Sequence, residues 1–115
     1  MSVVVLTSDL ATGSQIHVAA KHVGVPCATA LGPKSLMEKA PGSKLVLIDL
    51  TTPQLNLAEI IASLKGLESP PAVVAFGPHV HVQTLQAAKE AGCDAVLTRG
   101  QMHSQAAELM ERYAK

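Results

Sequence analysis

Five short apolar runs constrain this chain more than any other feature: "VVVL" (3–6), "VPCATAL" (25–31), "LVLI" (45–48), "AVVAF" (72–76) and "AVL" (95–97). Each is mostly continuous rather than alternating, and several are β-branched. A strand with water on one face alternates apolar and polar side chains. A continuous run belongs to a strand covered on both faces, as in a parallel sheet. The segments between the runs have helical spacing. "GSQIHVAAKHVG" places Ile16, Ala19, Ala20 and Val23 on one face, with Gly24 as a stop. "PKSLMEKA" has room for about two turns. "NLAEIIASLKGL" repeats Leu57, Ile60, Ile61 and Leu64 behind Asn56, a good N-cap. "VQTLQAAKEAG" carries Val82, Leu85, Ala88 and Lys89 and closes on Gly92; "SQAAELMERYAK" carries Ala106, Leu109, Met110 and Tyr113.

The order is therefore strand then helix, five times. Right-handed crossovers turn that order into an α/β three-layer αβα sandwich with helices on both faces of the sheet. The 115 residues suit a single domain, 1–115, and no linker, repeat or low-complexity stretch divides them. Phe76 and Tyr113 are the only aromatics, so the expected core is Val, Ile, Leu, Ala and Met. Nine basic and nine acidic residues balance, with no long basic run, so nucleic acid is not an expected partner. The start, "MSVVVLTSD", has no basic leader and too short an apolar run for a signal peptide or membrane span. Cys27 and Cys93 without export signals point to free thiols in a reducing compartment, the cytoplasm.

In an open parallel sheet, chemistry collects at the carboxyl ends of the strands. Those ends are Thr7-Ser8-Asp9, Asp49-Leu50-Thr51-Thr52, Gly77-Pro78-His79 and Thr98-Arg99-Gly100. Asp49 closes "LVLIDLTTP", an otherwise buried strand, and so stands at the rim. His79 and His81 form His-x-His, but no Cys or acidic partner follows at fixed spacing, which favours loop-surface histidines over a metal site. His17, His22 and His103 are expected on helix faces or loops. The hydroxyls Thr7, Ser8, Thr12, Ser14, Thr51 and Thr52 read as caps and turn residues. The sharper alternative joins them to Arg99 and His79 in a small anion site.

With these residues in view, the sequence resembles the receiver domain of bacterial response regulators, a flavodoxin-like fold, over almost its whole length. "LVLIDLTTP" is similar to the family's third-strand motif, in which the aspartate accepts a phosphoryl group; Asp49 matches it. "EAGCDAVLTRG" is similar to the family's approach to strand five. The resemblance implies the strand order 2-1-3-4-5. It places Cys27 and Cys93 at opposite edges, about 19 Å apart over four strand spacings, too far for a disulfide. It also makes Asp49 and Arg99 neighbours, so a strand-end ion pair is an alternative role for Asp49.

The departures matter as much. Where the family has adjacent metal-binding acids, this chain has Thr7 and Ser8, and Asp9 falls one position later. Gly77 replaces the fourth-strand hydroxyl residue, Arg99 the fifth-strand lysine, Gly100 the proline after it, and Val96 the switching aromatic. Phosphoryl transfer to a carboxylate needs a divalent ion, and magnesium wants several hard oxygens in octahedral array. One carboxylate with hydroxyls is a poor cage. The expectation is a degenerate, or pseudo-, receiver of the two-component signalling type, not an enzyme and holding no cofactor or metal. It would act by protein–protein interaction with another signalling protein or an output domain. A homodimer through the fourth helix, fifth strand and fifth helix is included in that expectation. The alternatives are an active phosphoacceptor receiver using Asp49 and a small-anion-binding flavodoxin-like module.

Overall fold

The computed structural model describes residues 2–115. Ten elements alternate without exception: β1 (Val3–Leu6), α1 (Leu10–Val23), β2 (Cys27–Ala30), α2 (Pro33–Lys39), β3 (Leu45–Asp49), α3 (Leu57–Lys65), β4 (Ala72–Gly77), α4 (Val82–Glu90), β5 (Ala95–Thr98) and α5 (Arg99–Tyr113). The strands form one parallel sheet in the order β2-β1-β3-β4-β5. This is the flavodoxin-like receiver fold that the apolar runs and the resemblance implied.

The pleat sorts each central strand's residues into two cores. Val3, Val5, Leu45, Leu47, Val74 and Phe76 face α1 and α5. Val4, Leu6, Val46, Ile48, Val73 and Ala75 face α2, α3 and α4. Because both sets must be apolar, β1, β3 and β4 read as continuous runs. Each such Val, Leu or Ile contributes roughly 1.5–3 kcal/mol by leaving water. Phe76 joins this core, fully buried, beside the aliphatic residues expected there.

Two helices begin earlier than their apolar periodicity predicts. α1 starts at Leu10, not near Gly13, because Asp9 caps it: its carboxylate accepts from Ala11 N at 3.0 Å and Thr12 Oγ1 at 2.9 Å. α5 starts at Arg99 rather than Ser104, so Arg99 and Gly100 form the helix's first turn instead of a strand end. The cause is a capping box between Thr98 and Gln101. On α4, Val82 and Lys89 lie exposed; Leu85 and Ala88 turn inward. Gly24 ends α1 at φ 89°, a left-handed turn that glycine adopts without a Cβ penalty. No helix among the described residues is long and apolar enough to cross a membrane.

Cys27 and Cys93 are free and half-buried rather than fully buried. Burial pushes both thiols up to about 11, with Asp94 adding to the effect at Cys93. At neutral pH neither is a thiolate, so neither is poised for nucleophilic chemistry.

Candidate functional site

The register of the sheet builds the site. Leu6 pairs with Ile48, so the next residues along, Thr7 and Asp49, meet at the carboxyl rim. Asp49 is only 1% exposed. A buried carboxylate must be matched by donors or it destabilises the fold. Here Oδ2 accepts from Thr7 Oγ1 at 2.7 Å, and Oδ1 accepts from Thr51 N at 2.9 Å and Thr51 Oγ1 at 2.7 Å. Thr52 Oγ1 donates to the Asp49 carbonyl at 2.7 Å, which fixes the backbone of the turn. Thr7 and Thr51 are thus the donors that let this carboxylate stand at the end of a buried strand.

Arg99 reaches this cluster from the first turn of α5. Its Nη2 lies 3.5 Å from Asp49 Oδ1 and 3.5 Å from Thr51 Oγ1, and its Nη1 lies 3.7 Å from Asp9 Oδ2. These are long contacts, without the short parallel hydrogen bonds of a tight bidentate pair. They place one cation between two carboxylates. The Arg99 Nε–H is buried and has no hydrogen-bond partner among the described residues. The Asp9 carboxyl is held below its ordinary range, chiefly by the hydrogen bond from Thr12; burial opposes this, and the Ala11 and Thr12 backbone and Arg99 add to the lowering.

Five of the eight residues singled out from the sequence therefore converge: Thr7, Asp9, Asp49, Thr51 and Arg99. Ser8 and His79 point to solvent instead. Gly77 sits at the end of β4, one residue beyond the partner of Asp49 in the register. A Cβ there would lie 3.4 Å from Leu50 Cβ and 3.7 Å from Leu85 Cδ2, within ordinary contact, so space alone does not demand a glycine. Sequence reasoning missed Asp9 as a helix cap and as a partner of Arg99. The signal was available in Asp-x-x-Thr before a helical segment. It also missed the Thr98–Gln101 capping box, which sets where Arg99 points.

The arrangement does not fit a divalent ion. No group of three or more His, Cys, Asp and Glu among the described residues is placed to hold one. The guanidinium already lies between the two carboxylates that would be candidate ligands, and both Asp49 oxygens already accept from the protein. The helix N-termini on either side of Arg99 both carry a capping side chain. In α1 the Ala11 N–H donates to the Asp9 cap, and in α5 the Gln101 N–H donates to the Thr98 cap.

No family model and no curated relative matches the sequence. Solved structures do match in shape. The receiver domain of NtrX from Brucella abortus superposes with a TM-score of 0.76 at 18% identity, over 96% of this chain and 95% of that one. The receiver domain of the sensor histidine kinase PA1611 from Pseudomonas aeruginosa PAO1, which has magnesium coordinated in its active-site cleft, gives 0.80 at 11% identity over 97% and 95%. The beryllofluoride-activated NtrC4 receiver domain, a dimer in solution, gives 0.72 at 17% identity over 93% and 96%. At these identities the likeness establishes the fold: the chain has the five-stranded, 2-1-3-4-5 architecture of receiver domains.

Proposed function

We propose that this chain is a receiver-type signalling domain that has exchanged metal-dependent phosphoryl chemistry for a built-in counter-ion. It acts by binding another protein, without catalysis of its own, in a reducing, cytoplasmic setting. The observation that carries this reading is the set of partners around Asp49. Its oxygens accept from Thr7 and Thr51, and Arg99 supplies the positive charge beside it. An aspartate that is to attack phosphorus relies on a divalent ion to offset the charge of the donor. Here a guanidinium stands beside the carboxylate instead. Val96, half-buried against the α2–α3–α4 core, is too small to act as a rotating ring.

The partner contact, with an unlike signalling protein, an output domain or a second copy, is assigned to α4, β5 and α5. Strand β5 is a sheet edge whose residues Ala95–Thr98 are only half-buried. Such edges invite company. Val82 and Gln86 on α4 are exposed and uncharged. That the NtrC4 receiver forms a dimer supports self-association as one form of this output.

Calorimetry at millimolar magnesium is the decisive experiment, followed by incubation with acetyl phosphate and intact-mass measurement. The expected outcome is no saturable heat and no mass gain of a phosphoryl group. A single saturable magnesium site together with an acid-stable, base-labile phosphoryl adduct on Asp49 would instead establish the active phosphoacceptor.

A further inference from the structure

Between α1 and the end of β2 lies an open groove of about 310 Å³. Leu10, Ser14 and His17 face it from α1, at the spacing of four and then three that keeps side chains on one side of a helix. Thr29 and Leu31 face it from the β2 side. His17 Nε2 and Thr29 Oγ1 lie 2.7 Å apart and close its inner end. At the outer end, toward the carboxyl rim, stand Leu10, 82% exposed, and Leu31, 65% exposed. These are the two leucines that stand exposed among the described residues, and both line this one groove. Its mouth therefore has an apolar lip on either side.

The floor holds a glycine that the fold does not ask for. Gly13 is buried inside α1, and its N–H donates to the Asp9 carbonyl at 3.0 Å. Its φ is not left-handed. Glycine weakens a helix relative to alanine. A Cβ at this position would lie 3.6 Å from Thr7 Cγ2 and 3.8 Å from Thr29 Oγ1, ordinary contacts, so the packing would admit alanine. What the absent methyl leaves is depth in the groove, as where a backbone lets a ligand approach closely.

We infer that this groove binds a small organic ammonium ion, its charged end on Asp9 and its apolar body between Leu10 and Leu31. Charge selects the ligand's sign. The groove is lined by one carboxylate, Asp9, and by no Lys or Arg. Arg99 offsets that carboxylate only in part, because its Nη1 lies 3.7 Å away and the same guanidinium stands 3.5 Å from Asp49. Asp9 accepts from Ala11 N and Thr12 Oγ1. An ionised carboxylate has about four acceptor sites, which leaves capacity for a further N–H donor. An anion of the same shape would meet Asp9 at like charge. The exposed leucines select the rest of the ligand, since apolar walls around a few polar groups are the usual make-up of a small-molecule site. The inference does not depend on whether Asp49 is phosphorylated, nor on which protein meets the α4–β5–α5 face.

Titration of the amide chemical shifts with phenethylammonium tests it, beside hydrocinnamate, which has a similar body and the opposite charge. Phenethylammonium is expected to give saturable shifts over residues 10–17 and 29–31, and hydrocinnamate none. Asp9→Asn keeps a capping side chain and removes the charge, and Leu31→Ser removes one lip. Each should weaken phenethylammonium binding about fivefold. Gly13→Ala should weaken it by a similar factor while raising the urea midpoint, which separates filling of the groove from damage to the fold. No saturable shift at millimolar phenethylammonium overturns the inference. So do shifts centred elsewhere, an equal response to hydrocinnamate, or binding left undiminished by Asp9→Asn, Leu31→Ser and Gly13→Ala. Magnesium calorimetry tests the reading of Asp49 separately, and none of these outcomes alters it.

Discussion

The carboxyl rim of the sheet has two unlike halves. On the β1–β3 side, Thr7, Thr51, Thr52, Asp9 and Arg99 form one connected set around Asp49, with the Arg99 Nε–H left without a partner among the described residues. On the β4–α4 side, Gly77 brings no side chain, His79 and His81 are exposed, and α4 begins with His81 as an N-cap whose side chain makes no capping hydrogen bond. One half is interlinked around a buried carboxylate; the other is open. A connected set of hydrogen bonds and ion contacts about a buried charge is suited to holding a shape. The second half is suited to meeting something from outside.

Removing Asp49 should disturb the molecule most. Asp49→Ala leaves Thr7 and Thr51 without acceptors and Arg99 without its buried counter-charge, at an expected cost of roughly 3–5 kcal/mol in urea unfolding. The double-mutant cycle of Asp49→Asn with Arg99→Gln isolates the ion pair. Arg99 is a third exposed and its contacts are long, so a coupling of about 0.5–1.5 kcal/mol is expected. Strict additivity would show that the guanidinium contributes nothing to the engaged half.

The open half should respond in the opposite direction. His81→Asp gives α4 the capping side chain it lacks, and a gain of about 0.5–1 kcal/mol is expected in the same assay. A loss would mean that the imidazole has a structural role and that this half is not open.

The smallest effect belongs to Asp9, at the solvent-facing border of the engaged half. Its folded pKa lies below the ordinary 3.8. The ionised form is therefore favoured in the folded state. Its contribution is complete above pH 3.8 and lost only as the pH falls through the folded value. Acid titration of stability should show an Asp9-dependent slope only below pH 3.8, absent in Asp9→Asn. A difference in slope near neutrality would mean that Asp9 feels a different environment.

The fold was legible because two-sided burial leaves a mark in one dimension. Val3–Leu6, Leu45–Ile48 and Ala72–Phe76 have no polar interruption, and only covered strands permit that. Asp49 was legible through its place at the end of a strand, and Arg99 through its place directly after one. The start of α1 was not, since Leu10 is exposed and Gly13 is a weak helix former, so the apolar periodicity begins only at Ile16. The bridging position of Arg99 was not legible either. It depends on where the Thr98–Gln101 capping box starts α5, and that rests on hydrogen-bond geometry rather than hydropathy. The difference between Ser8, exposed, and Thr7, buried, is likewise a matter of which way the chain turns after β1.

Arg99 and Asp9 lie 90 positions apart, and their contact joins the first βα unit to the last. During synthesis the Asp49 cluster is therefore left short of its cation until β5 and the start of α5 have emerged. Up to that point Asp49 has hydroxyls but no counter-charge, and β4 is an unpaired edge. A chain interrupted before Arg99 would expose both defects together: an apolar edge and an uncompensated carboxylate. Completion of the rim thus marks the arrival of the last element, and cellular quality control would meet a different molecule before that moment than after it.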